Sequence, residues 1–214
     1  MRAGDPAPTG HPPLEERDCP RDPLLLFARW HRAAIDAGLP EPSAMTLATV
    51  AEDGGPAARI VLLRDCDARG FVFLTDSASR KGRELARDAR AALVFHWPAL
   101  VRQVRAEGEV AKLDATASAA LYSARPRGTR LVLAAWTQSV PVADRATLAA
   151  LRDRMDAAHP APAAPERPAT WEGYRLAPRL LEFWQGDRSR LHDRVRYRRA
   201  GDRDGEWIID RLAP

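Results

Sequence analysis

Long apolar runs are missing from this 214-residue chain. None approaches the roughly eighteen consecutive apolar residues that a helix needs to cross a bilayer, so no spanning segment is expected. Residues 1–20 carry Pro, Gly and charge but no apolar stretch, which excludes a secretory signal and predicts a disordered leader. Cysteine is scarce: Cys19 and Cys66 stand alone, without CxxC or metal-ligand spacing, so free thiols in a cytoplasmic protein are expected. His11, His31, His96, His159 and His192 show no HExxH or paired spacing, and no metal site is expected. His31 reads as a surface residue of a helix; His96, at the end of a strand, is open between packed and functional. A Walker A loop, a GxGxxG after a strand and a GxSxG elbow are all absent, which excludes P-loop, Rossmann and nucleophile-elbow chemistry. An excess of one charge is absent as well. Lys and Arg number 33 against 29 Asp and Glu, interspersed without a basic block, so nucleic acid is not an expected partner. Lysine itself is almost missing, with only Lys81 and Lys112, so an Arg standing where a Lys is usual carries little information.

What is present is an ordinary globular composition, 45% hydrophobic and 29% charged, on a chain long enough for one substantial core. The ordered part is expected from residue 21 onward as a single domain. Asp22 reads as an N-cap with Pro23 in the first turn, followed by the stripe Leu26, Trp30, Ala33 and Ala34, and Gly38 ends that helix. Strand-like runs follow at 45–50 and 59–64, joined by the hairpin signal Glu52-Asp53-Gly54-Gly55, and then at 71–75 after a second turn at 67–70. Residues 77–88 predict a short helix capped by Ser77 or Ser79. Strands are predicted at 91–97 and 101–113, the second with Val104, Ala106, Gly108 and Val110 on one side and Gln103, Arg105, Glu107 and Glu109 on the other. Asp114 caps a helix that Pro126 ends, and 144–159 reads as an amphipathic helix with Leu148, Leu151 and Met155 on one face. A Pro/Ala-rich loop at 160–170 precedes strands at 174–176, 180–185, 193–199 and 206–211. The last forty-odd residues are too few to own a core and must pack on the rest. Hairpin-linked strands with a few helices predict a mainly antiparallel sheet closing into a barrel, with flanking helices.

Two segments carry chemistry. Ser79-Arg80-Lys81-Gly82-Arg83 opens a helix with three cations and free backbone N–H groups, which suits a phosphate as well as it suits a solvated helix start. Arg190, His192 and Arg194 alternate after the run Leu181-Glu182-Phe183-Trp184-Gln185-Gly186. If the segment is extended, all three share one face. That face suits an anionic, aromatic ligand, or equally a solvated basic sheet edge.

Together with the run from Arg59 to Arg64, Arg102-Gln103-Val104, Gln138-Ser139 and the terminal Ile209-Asp210-Arg211-Leu212-Ala213-Pro214, these segments occur in the order and spacing of the pyridoxine (pyridoxamine) 5′-phosphate oxidase family, which the chain resembles from about residue 22 to its end. The resemblance implies an FMN-binding split β-barrel working as a homodimer, with flavin at the subunit interface. It implies that Arg59, Thr75, Arg80 and Lys81 hold the flavin phosphate and ribityl chain beside Ile60, Val61, Leu62, Leu63, Arg64 and Leu74. Gln103, Trp184 and Arg194 would lie near the ring, with Gln138 and Ser139 completing the site across the dimer. Arg64, Arg125 and Thr129 would bind the phosphate of the substrate, and Arg190 and His192, as the catalytic pair, its pyridine ring. The implied reaction converts pyridoxine 5′-phosphate or pyridoxamine 5′-phosphate to pyridoxal 5′-phosphate, with O2 reduced to H2O2. The alternative is a related flavin oxidase of secondary metabolism, of the phenazine-biosynthesis type. This sequence departs from the family pattern at Arg64 (usually Lys), Thr129 (usually Ser) and Leu121 (usually Tyr), the last a lost hydrogen bond unless Tyr122 reaches in. The N-terminal Arg and Tyr that close over substrate in that family have no counterpart.

Overall fold

The computed structural model describes residues 12–201 and 206–214. Helix α1 (Pro23–Asp36) starts where expected, the Asp22 carboxylate accepting from the Leu24 N–H at 2.9 Å. It stops before Gly38, whose φ of +66° is the left-handed conformation that a helix C-terminus favours in glycine. Its buried face is Leu24, Leu26, Phe27, Trp30 and Ala34. Phe27 meets Phe71 edge-on at 4.8 Å and Phe95 at 4.7 Å, while Trp30 meets Phe183 edge-on at 5.3 Å. Such edge-to-face geometry is the favoured one for aromatic rings. His31 is a correction to the surface reading. It is half-buried, stacks on Phe27 at 5.6 Å, meets Ser43 Oγ at 3.1 Å, and burial pushes its imidazole pKa down.

Strands β1 (Ala44–Val50), β2 (Pro56–Asp67) and β3 (Gly70–Asp76) form consecutive antiparallel hairpins. Helix α2 (Arg80–Arg87) then leads to β4 (Arg90–Trp97) and β5 (Arg102–Lys112). Three helices follow, α3 (Ala115–Ser123), α4 (Arg127–Ala135) and α5 (Arg145–Ala158), before β6 (Trp171–Gln185), β7 (Asp193–Arg199) and β8 (Trp207–Arg211). The sheet order is β3-β2-β1-β4-β5-β6-β7-β8, and β3 also pairs with β6. That pairing closes a six-stranded antiparallel barrel from which β7 and β8 extend, as the split-barrel expectation required.

β6 is one strand, where the sequence reading gave two runs around Pro178. The register shifts opposite Pro178, between Glu107 and Gly108, and a Cβ on Gly108 would stand 2.0 Å from the Ala177 carbonyl oxygen. A bulge of this kind admits a proline inside a sheet without breaking it. The leader expectation is corrected in part. Residues 1–11 lie outside the described residues, but 12–20 dock on the C-terminal strands. The Leu14 N–H donates to Asp193 at 2.9 Å, Gln185 Nε2 donates to the Pro12 carbonyl at 2.9 Å, and the Tyr197 hydroxyl donates to the Pro20 carbonyl at 2.9 Å. Residues 202–205, where a turn is expected between β7 and β8, also lie outside the described residues.

The barrel interior is apolar, with Leu47, Leu93, Phe95, Val104, Ala106 and Leu181 fully enclosed. The outward face of β2, β1 and β4 is also short of charge. Leu62 lies opposite Ala44, Ile60 opposite Thr46 and Ala58 opposite Ala48, and Val94 and Ala92 continue those rows. Ile60 on that face is 64% exposed.

Candidate functional site

The first cluster is built where β3 hands over to α2. Ser79 caps the helix, accepting from the Gly82 N–H at 3.2 Å. Gly82 has no room for a side chain, since a Cβ would stand 2.4 Å from the Ser77 carbonyl oxygen. The turn therefore closes tightly and sets Arg80 and Lys81 at the helix mouth. Arg59 reaches them from β2, donating to Glu84 at 2.7 Å and to Thr49 Oγ1 at 2.5 Å. Arg80 Nε donates to the same Glu84 at 2.8 Å. Burial pushes the Glu84 carboxyl upward, but hydrogen bonds from Thr49, Arg59 and Arg80 outweigh it and hold the group below the usual carboxylate range. Burial, then the Arg59 charge, push the Lys81 ammonium down. Arg59 and Arg80 thus share one buried carboxylate with Lys81 beside them, a concentration of cations that suits a dianionic phosphate. Thr75 Oγ1, fully buried on β3, has no hydrogen-bond partner among the described residues. A cavity of about 400 Å³ opens beside Ala57, Ala58, Arg59, Arg80, Lys81 and Ser139.

Gln138 and Ser139 join this cluster from their own chain, where the family resemblance implied a contribution across a dimer. Lys81 Nζ donates to Gln138 Oε1 at 2.8 Å, the Arg80 N–H donates to Ser139 Oγ at 3.1 Å, and the Gln138 N–H donates to Asp76 at 2.9 Å. The segment after α4 folds directly onto the α2 mouth.

A second cluster stands on the outer wall of β5, β6 and β7. Gln103 pairs with Trp184, and Trp184 with Arg194, so the three side chains form one row across the strands. One row along the same face, the buried Glu182 carboxylate receives Arg194 Nε at 2.9 Å and a close Arg105 contact. Burial raises its pKa, and the hydrogen bonds and charges of Arg194 and Arg105 lower it further than that. Arg194 also donates to the Ala213 carbonyl at 2.7 Å, and the Leu212 N–H donates back to the Arg194 carbonyl at 2.8 Å. The C-terminal tail therefore orients Arg194.

Arg190 and His192 do not share that strand face. β7 begins at Asp193, and 186–192 is a loop in which Arg190 adopts φ +65° with its side chain exposed. The Asp187 carboxylate accepts from the Ser189 N–H at 2.7 Å and turns the chain before it can extend. The Asp187 N–H donates to His192 Nδ1 at 3.1 Å, and the imidazole lies 5.0 Å from the Trp184 ring. A backbone N–H only donates, so Nδ1 accepts and the neutral ring carries its proton on Nε2.

The third cluster is cationic. Burial, then the neighbouring Arg125 charge, push the Arg64 guanidinium down, and Arg64 Nε is buried without a partner. Arg125 lies between α3 and α4, with Thr129 in the first turn of α4. Among the described residues neither arginine has a salt-bridge partner. Tyr122 does not replace the family tyrosine: it is fully buried, its hydroxyl donating to the Arg130 carbonyl at 3.2 Å. Leu121 packs toward Gly173, where its Cδ1 would stand 2.8 Å from an added Cβ.

No described contact joins the α2 cluster to the β5–β7 wall, and β1 and β4 separate β2 from β5 in the barrel. Sequence reasoning missed Thr49, Glu84 and Glu182, which hold the site arginines, and Arg105, which shares Glu182 with Arg194. Glu84 was within reach of it, since Arg80 and Glu84 stand at helical i,i+4 spacing.

The chain matches the family described as pyridoxamine 5′-phosphate oxidase over residues 32–155, and the pyridoxine 5′-phosphate oxidase C-terminal dimerisation region over 171–214. It is 48% identical over 201 residues to a pyridoxine/pyridoxamine 5′-phosphate oxidase of Herminiimonas arsenicoxydans, covering 94% of this chain and 93% of that one. It is 51% identical over 203 residues to the protein of the same name from Cupriavidus pinatubonensis, with the same coverage of 94% and 93%. Among solved structures, PhzG from Burkholderia lata, in complex with tetrahydrophenazine-1-carboxylic acid, aligns with TM-score 0.87 and 33% identity over 94% of this chain and 98% of that one. A pyridoxamine 5′-phosphate oxidase-related, FMN-binding protein from Nostoc punctiforme shares the fold, with TM-score 0.67 and 19% identity over 92% of this chain and 98% of that one.

Proposed function

The chain belongs to the pyridoxamine 5′-phosphate oxidase family of FMN oxidoreductases, and from that premise we propose that it oxidises pyridoxine 5′-phosphate or pyridoxamine 5′-phosphate to pyridoxal 5′-phosphate. O2 is reduced to H2O2, and the amine substrate also takes up water and releases ammonia. The observation that carries the substrate class is the pair Arg64 and Arg125, close enough for one charge to depress the other's pKa and, although the Glu41 charge acts on Arg64, without a salt-bridge partner among the described residues. A substrate phosphate offsets both charges at once. Thr129 adds a hydroxyl to that anchor.

FMN fits the α2 cluster on two counts: the cation excess around Glu84 and the unpartnered hydroxyl of Thr75. Arg59, Thr75, Arg80, Lys81, Gln138 and Ser139 hold its phosphate and ribityl chain, with Ile60, Val61, Leu62, Leu63, Arg64 and Leu74 beside them. Gln103, Trp184 and Arg194 face its ring. When bound there, FMN would supply the redox chemistry, a two-electron oxidation at the substrate C4′ carbon with O2 as the final acceptor. Arg190 and His192 orient the pyridine ring, His192 as a donor through Nε2–H. One chain keeps the phosphate cluster and the ring wall apart, so the complete site takes its wall from a second copy. The match to a dimerisation region and the weakly charged outer face around Ile60 support a homodimer. The free thiols of Cys19 and Cys66 suit a cytoplasmic enzyme.

One observation favours a second reading, a tricyclic substrate of the phenazine type. Leu121 offers no hydrogen bond, and Tyr122 is turned into the core. The retained Arg64–Arg125 pair keeps the phosphorylated substrate first. The deciding experiment supplies the yellow, FMN-loaded protein in air with pyridoxine 5′-phosphate or with a reduced phenazine carboxylic acid. Pyridoxal 5′-phosphate and peroxide are expected in equal amounts from the first. Peroxide from the tricyclic compound alone would overturn the assignment.

A further inference from the structure

The row that faces the proposed flavin ring does not end at Gln103. In the register of β4 and β5, His96 lies directly opposite Gln103, so His96, Gln103, Trp184 and Arg194 stand on one line across four strands. Neighbouring strands lie about 4.8 Å apart, and directly opposed side chains on one face touch or nearly touch. His96 points outward with Gln103, because Phe95 and Trp97 on either side of it are buried in the barrel. Its side chain is exposed, and among the described residues nothing hydrogen-bonds its ring. Arg194 is held by Glu182, whereas the exposed His96 ring, like the half-buried Gln103 amide beside it, keeps its hydrogen-bonding capacity among the described residues.

We propose that His96 is a further positioning residue of the flavin site, donating or accepting a hydrogen bond at the polar edge of the isoalloxazine ring next to Gln103. The inference rests on the flavin placement given above. Its chemical basis is that the ring edge carries both carbonyl and N–H groups, and imidazole can serve either. On the adjoining row Thr46 and Val94 are small and weakly polar, and Arg105, opposite Val94, is drawn to Glu182.

The test is FMN binding by apoprotein, followed by quenching of flavin fluorescence, with the visible spectrum of the bound flavin and the mass in solution measured alongside. His96→Ala is expected to weaken FMN roughly three- to tenfold, the range of one hydrogen bond, and to shift the flavin band while the dimer persists. His96→Gln, which keeps a donor and an acceptor, is expected to recover part of the affinity. Wild-type affinity and spectrum in His96→Ala, beside a weakened Gln103→Ala, would overturn the role of His96 and leave the flavin site standing. A His96→Ala protein that has become monomeric assigns the residue to the subunit contact and also overturns it, as does a Gln variant no better than Ala. A wild-type chain that binds no FMN removes the site and the inference together.

Discussion

Arg64 and Arg125 are individually ordinary surface-type residues, and their meaning comes from being half-buried near each other without a salt bridge among the described residues. A charge-assisted hydrogen bond to a charged group contributes about 1.5–3 kcal/mol. Arg125→Ala should therefore raise KM for pyridoxine 5′-phosphate by roughly ten- to a hundredfold, since about 1.4 kcal/mol is a factor of ten. FMN content should stay unchanged, because Arg125 is not among the α2 cations. An equal loss for unphosphorylated pyridoxine in steady-state assays would show that Arg125 does not read the phosphate. Arg64→Lys should cost little, as a point charge still meets a phosphate. Glu182 acts through another residue. With its carboxylate replaced in Glu182→Gln, Arg105 and Arg194 lose their common anchor, and FMN affinity should fall although Glu182 is itself almost fully buried on that wall.

At the scale of elements, α2 is fastened to the barrel by the Arg59–Glu84–Arg80 cluster and by the Glu84 contact to Thr49 at 2.6 Å. The folded Glu84 carboxyl lies below its ordinary value of 4.5, so its stabilisation is complete above that pH and is lost as pH falls through the lower folded value. Glu84→Gln should destabilise the protein at pH 7 by about 3 kcal/mol, the lower end for breaking a buried pair. The gap to wild type in urea unfolding should narrow on acidification from pH about 5 downward. A gap independent of pH would mean that the cluster does not hold the helix electrostatically. The strap 12–20 is fastened by Arg211, which donates to Glu16 at 2.7 Å, Asp193 at 2.8 Å and the Leu14 carbonyl at 2.6 Å. Because Asp193 follows the 186–192 loop, Arg211→Ala should lower Tm by a few degrees. It should also weaken substrate binding while FMN stays bound. An unchanged melting curve would show the strap to be passive.

At the scale of the whole molecule, the α2 cluster and the β5–β7 wall share no described contact within one chain, and a second copy completes the proposed site. Ile60, 64% exposed on the outer wall, is placed to test this. Ile60→Asp puts a charge on an otherwise weakly charged face and should yield a monomer by light scattering. That monomer should also lose FMN, since neither copy alone supplies both the phosphate cluster and the ring wall. A monomer that keeps flavin at wild-type affinity would place the complete site within one chain.

The sequence by itself determined most elements and the chemistry available to the site. Asp22, Ser79, Asp114 and Asp144 each cap a helix through a side-chain oxygen, and the β5 alternation marks its buried side, because these signals act within a few residues. α4 escaped that reading because Pro126, taken as the end of the preceding helix, is also its N-cap and makes no side-chain bond. In α5 the stripe Leu148, Leu151 and Met155 is real in sequence, yet no residue of the helix is fully buried. Only the tertiary structure decided that β6 runs through Pro178, since the accommodating Gly108 lies on another strand. It also decided that Arg190 and His192 sit on a turned loop, that Gln138 and Ser139 return to their own α2, and that Tyr122 faces the core. Local signals fix dihedral angles and capping. Which arginine meets which carboxylate, and which stays available for a phosphate, depends on contacts between residues dozens of positions apart, and no local pattern encodes those.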